Sequence, residues 1–168
     1  MVESADNNIR PALVLDIDGV FIVPGETKTE GYTEHPRFPT HAYNPSHGEW
    51  LNNITDSLAD AYYISDCMNL SHWTIGQHLE VPEFDWINAD VYPARRKAAS
   101  RALAITALFG NRPLAWIDDI IGTPERRWSQ RRNETGTPTL LVKTDKNVGL
   151  RPGHLNRVTK WLERLTDQ

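Results

Sequence analysis

The stretch Leu13-Val14-Leu15-Asp16-Ile17-Asp18-Gly19-Val20 decides the fold: an apolar run stops at two carboxylates one residue apart, followed by glycine. A short apolar run bounded by turn residues reads as a buried strand, so its C-terminal tip carries an acidic site. Two ionised carboxylates at the edge of an apolar core repel each other unless a cation or a shared proton compensates them. A divalent metal is the simplest compensation. Magnesium suits it, since that ion is held by one or two carboxylates plus phosphate oxygens and water. The competing reading is a polar turn with Asp18-Gly19 as its turn residues. An EF-hand loop fails, because the twelfth position from Asp16 is Thr27, where that loop needs Glu.

Outward from this strand, apolar segments alternate with helical patterns over 12–15, 61–64, 114–117 and 139–142, with a shorter candidate at 84–87. That alternation predicts a Rossmann-like three-layer α/β/α domain on a central, mainly parallel sheet. The 168 residues fit one domain, expected over 11–168 behind a flexible 1–10 segment. An apolar fraction of 39% with six Trp argues against disorder. A net charge of -4 and a pI near 5.8 mean that any attraction to nucleic acid must come from a local patch. The single cysteine, Cys67, excludes an intramolecular disulfide. The N-terminal residues lack the regions of a signal peptide, and no apolar run approaches the roughly 20 residues of a membrane span. A cytoplasmic protein is expected.

Helix signals fill the gaps. Ser46 and Glu49 have the spacing of a capping box ahead of Trp50, Leu51, Ile54 and Leu58. Ser71 is placed to cap a helix carrying Ile75 and Leu79 and stopped by Pro82. A helix over 94–109 ends at Gly110, Thr123-Pro124 opens a short basic helix, and a last helix after Pro152 aligns Leu155, Val158, Leu162 and Leu165. The segment 21–45, rich in Pro, Gly, Thr and His, reads as a long loop or small hairpin over the site.

Three features fall just beyond strand ends, where an open parallel sheet places its functional groups. Ser65 follows the second strand, Asp118-Asp119 ends the next long one, and Lys97 lies between them near a helix start. This order of acid pair, hydroxyl, lysine and second acid pair resembles the haloacid dehalogenase superfamily. Leu114-Ala115-Trp116-Ile117-Asp118-Asp119 and Val148-Gly149-Leu150-Arg151-Pro152-Gly153-His154-Leu155 look more narrowly like its small uncapped phosphatase-like domains of actinobacteria and phages.

The resemblance implies a magnesium-dependent phosphomonoester hydrolase. Asp16 would be the nucleophile forming an aspartyl-phosphate, and Asp18 general acid and then general base. The metal would be held by Asp16, the Asp18 carbonyl and Asp118, with Asp119 as an alternative or supporting ligand. Ser65 and Lys97 would bind the phosphoryl oxygens, with Arg96 the rival to Lys97, and Asp66 and Asn69 would line the site.

Neither gap between the motifs has room for a cap domain, which favours a bulky phosphoester, or a small one covered by the 21–45 segment or by a second copy in a homo-oligomer. His35, His41, Tyr32, Tyr43 and Arg37 in that segment are candidate contacts to a base, sugar or phosphate. So is the run from Glu125 to Arg132, where Arg126 would bind phosphate and Trp128 either stacks on a base or packs inward. The expected substrate is therefore a nucleotide or a nucleic-acid terminal phosphate. The alternative is a non-catalytic module binding nucleic acid or protein on the same fold.

Overall fold

The structure is a computed structural model that describes residues 10–27 and 29–167. The segment expected to be flexible thus lies outside the described residues apart from Arg10, whose guanidinium donates to the Thr55 and Ala59 carbonyls. In chain order the strands are β1 (Ala12–Leu15), β2 (Ile22–Pro24), β3 (Thr33–Glu34), β4 (His41–Tyr43), β5 (Asp60–Tyr63), β6 (Asp85–Trp86), β7 (Leu114–Asp118) and β8 (Thr139–Lys143). The α-helices are α1 (His47–Ser57), α2 (Lys97–Phe109), α3 (Thr123–Glu134) and α4 (Pro152–Thr166).

A five-stranded sheet has the order β6-β5-β1-β7-β8 with every pairing parallel, and β1 aligns Val14 with Tyr62 on one side and Trp116 on the other. Both faces are covered, as a parallel sheet requires. Leu13 and Leu15 pack with Leu51 and Ile54 of α1 and Val158 and Leu162 of α4. Ala12 and Val14, alternating with them, pack with Ala104, Ile105 and Phe109 of α2. The expected α/β/α architecture is observed.

The segment 21–45 folds as a three-stranded antiparallel sheet, β2-β4-β3, more regular than a loop. It is fastened down. His35 is fully buried, its Nε2 donating to the Thr74 carbonyl at 2.9 Å while its Nδ1 accepts from the Arg37 and Phe38 N–H groups. Tyr32 donates its hydroxyl toward the Leu150 carbonyl at 3.3 Å.

That His35 contact changes the next element. A helix running on from Ser71 would offer the Thr74 carbonyl to His78, but His35 takes it and the His78 N–H goes to Ile75. The chain forms a 3-10 turn at Met68–Leu70 and a wide π turn at His72–Gly76 in place of the expected α-helix, although Ile75 and Leu79 are buried as expected. The Ser46 capping box does not form either. Ser46 already has helical backbone angles, and its hydroxyl turns back to Asn44 Oδ1 at 2.7 Å. The helix expected from 94 begins at Lys97, because Arg96 is extended with its guanidinium held 2.8 Å from Glu125.

Candidate metal centre

Strand alternation builds the site. Ala12 and Val14 of β1 and Leu114 and Trp116 of β7 share the face that packs on α2, and Asp16 and Asp118 are the next residues in the same phase. The Asp16 N–H donates to the Ile117 carbonyl at 3.0 Å, which carries the parallel pairing to the strand tips. Both carboxylates are buried, with Asp16 3% and Asp118 0% exposed. Asp119 joins them half-buried, and one carboxylate oxygen from each of the three lies within 4.8 Å of the others.

Gly19 makes room for Asp119. Its φ of +73° lies in the left-handed region, and a Cβ there would stand 2.8 Å from Asp119 Cγ. The Gly19 carbonyl accepts from the Thr144 hydroxyl at 2.6 Å, tying the acid loop to the end of β8.

A cation that the sequence reading missed organises these groups. Arg101, itself 3% exposed, projects from α2 and places Nη1 2.7 Å from Asp16 Oδ2 and 2.5 Å from Asp118 Oδ2, while Nη2 lies 3.4 Å from Asp66 Oδ1. The remaining carboxylate hydrogen bonds are local: Ile17 N–H to Asp16 Oδ1, Trp116 Nε1 to Asp118 Oδ2 and Ile120 N–H to Asp118 Oδ1. Burial and the neighbouring Asp118 push the Asp16 carboxyl up to about 8 against the pull of Arg101. Burial raises Asp118 too, with Arg101 opposing. Burial alone would lower the Arg101 guanidinium, but Asp118 and Asp16 outweigh it and hold the proton more firmly than usual.

The other expected site residues divide. Ser65, 7% exposed, sits at the end of β5 with its Oγ accepting from the Cys67 N–H at 3.2 Å. It lines a cleft of about 430 Å³ with Asp66, Lys97, Arg101, Trp86 and Asn88. Lys97 is paired with Asp66, whereas Arg96 is occupied by Glu125, so of these two Lys97 is the one that lines the cleft. Burial raises the Asp66 carboxyl, yet the bond to Lys97 and the charges of Lys97 and Arg101 bring it below its ordinary value.

Asp18 is exposed and outside the three-carboxylate cluster, with its carboxyl raised by burial of its inner side and by Asp66. Asn69 is exposed on the 3-10 turn and does not line the cleft. Arg126 lies on the other side, in a groove that it shares with Asp119.

Several candidate substrate contacts are structural. Beyond His35, Tyr43 is buried and Arg37 stacks on Trp73 at 4.3 Å. Trp128 packs edge-on against Trp116 and donates Nε1 to Thr106 Oγ1. Arg132 is buried under the Gly110 and Arg112 carbonyls, so the arginine run is not one surface.

No family model, curated protein or solved structure matches the chain. A parallel sheet with a buried acidic triad at its strand ends is what the fold and site define.

Proposed function

We propose that the chain is a phosphomonoester hydrolase of the haloacid dehalogenase type, with a divalent cation held by Asp16, Asp118 and Asp119. The observation that carries this reading is the convergence of Asp16 and Asp118 from adjacent parallel strands onto Arg101. The donors suit such an ion. Oxygens around a hard cation at 2.0–2.6 Å lie no more than about 4 to 5 Å apart, which matches the spacing within 4.8 Å. Once all three carboxylates are ionised, as a bound cation favours, their charges against one guanidinium leave two negative charges, which one divalent cation cancels. Magnesium is the ion proposed, supplying charge neutralisation at the transferred phosphoryl group.

The chain's own residues provide the rest. An Asp16 oxygen attacks phosphorus, and the bond to the leaving oxygen breaks as Asp18 donates its proton there. Asp18 then takes a proton from water, the water oxygen attacks phosphorus, and Asp16 leaves as carboxylate with inorganic phosphate released. Lys97, Ser65 and Arg101 face the phosphoryl oxygens, where fixed donors count most as charge develops.

Hydrolysis of an aryl phosphate in magnesium tests this, with Asp16→Asn expected to lose at least about a thousandfold in rate and chelator to abolish turnover. Equal inertness of parent and variant across aryl, sugar and nucleotide phosphates would refute it. A second reading, a binding module without catalysis, is favoured by one observation: Asp16 is buried behind Arg101, which lines the cleft while Asp16 does not. On that reading Asp16→Asn changes stability and no reaction.

A further inference from the structure

Arg10, Arg96, Lys97, Arg101 and Arg112 are all paired with carboxylates. Arg126, Lys143, Lys146 and Arg151 make no salt bridge among the described residues, and these four line one groove of about 680 Å³. Four cations stand there against Asp145 and Asp119 in a chain whose net charge is -4. Asp145 spends one oxygen on the Asn147 N–H of its own turn, and Asp119 belongs to the acidic triad.

The groove is built to hold anions. Arg126 stands in the first turn of α3 and Arg151 and His154 at the start of α4, so two helices of 12 and 15 residues begin at its wall. His154 accepts the Arg151 N–H on Nδ1, which leaves its proton on Nε2. Burial, with Arg151 and Arg157 close by, keeps that ring below the ordinary histidine value, so it is a neutral donor. The groove also reaches Asp119, one of the three carboxylates proposed to hold the cation.

We infer that this groove binds the phosphodiester backbone next to the phosphate being hydrolysed, so that the substrate is the phosphorylated end of a single-stranded nucleic acid. The inference rests on the proposed phosphomonoesterase reading for the identity of the terminal group. A mononucleotide would leave the groove empty, whereas a strand running past Asp119 meets the cations successively. Unpaired lysines and arginines gathered along one groove are what local backbone recognition requires.

The test is binding by the Asp16→Asn protein, which does not turn substrate over. The probes are labelled thymidine hexanucleotides with a 3′- or 5′-phosphate, titrated at several salt concentrations. Lys143→Gln with Lys146→Gln, both exposed and without side-chain hydrogen bonds among the described residues, is expected to weaken binding about tenfold or more. The slope of log affinity against log salt should fall by about 0.7 for each lost contact. Lys160→Gln with Arg164→Gln removes the same charge from exposed positions on α4 outside the groove and is expected to leave the slope unchanged.

Parent-like affinity and slope in the groove variant, or an equal loss in the control, would overturn the inference. So would equal binding of a phosphomononucleotide and the hexanucleotides. Aryl phosphate turnover without oligonucleotide binding removes the groove and leaves the hydrolase. The reverse pattern removes the hydrolase and leaves the groove.

Discussion

Replacing Arg101 by methionine keeps an unbranched apolar stem and removes the guanidinium that lies between Asp16 and Asp118. Their oxygens lie within 4.8 Å of each other. Above the value of about 8 to which Asp16 is pushed, where both are ionised, two unit charges at that separation repel by about 3.5 kcal/mol at an effective dielectric of about 20. Breaking one partner out of a buried ion pair costs about 3 to 5 kcal/mol in general, so the two routes agree. For a domain of this size the loss corresponds to a fall in Tm of about 10 °C. Differential scanning fluorimetry of Arg101→Met at pH 9 in chelator should show that fall. Magnesium should restore more of it than it adds to the parent, because the cation then becomes the sole compensation for three carboxylates. Adding Asp118→Asn should likewise recover much of the loss. A midpoint within about 2 °C of the parent in chelator would show that the bridge contributes little and that the two acids are not both ionised.

Gly19→Ala should cost about 1 to 2 kcal/mol from its left-handed backbone and should also displace Asp119. Calorimetric titration should then show magnesium affinity lost, with far-ultraviolet circular dichroism unchanged; parent-like affinity would mean that Asp119 is not a ligand. His47, 2% exposed between Phe21 and Tyr32, has its ring pushed down to about 4 by burial. It folds neutral, so its contribution is complete above the unfolded value near 6.5 and is lost as pH falls from there to about 4, by about 3 kcal/mol. Urea unfolding at pH 7 and pH 4 should show a smaller acid penalty in His47→Phe than in the parent, and equal penalties would refute the assignment.

The parallel sheet was legible because β1, β5, β7 and β8 are apolar runs ending at turn residues, a pattern that depends on burial alone. The acidic positions were legible for the same reason, since Asp16 and Asp118 terminate such runs. Arg101 was not, because a cation inside a helix ordinarily reads as solvated. Its signal was spacing: it stands four residues after Lys97, on the α2 stripe with Ala98, Ala104 and Ile105, which are buried. The π turn at His72–Gly76 was hidden because its cause, His35, lies 39 residues from Thr74. The arginine run misled because helical position sends Arg132 under the Arg112 carbonyl and Arg126 toward Asp119, a division that composition does not reveal.

The small antiparallel sheet, pinned by His35 to Thr74 and by Tyr32 to Leu150, is a fixed rim beside the acid loop. On the proposed hydrolase reading, an acceptor would reach a phosphorylated Asp16 through the open cleft beside Ser65 and Lys97, where water at about 55 M outnumbers any alcohol that could accept the phosphoryl group. Competition for the intermediate therefore favours hydrolysis over transfer, and added glycerol or ethanol should divert little phosphate from the inorganic product.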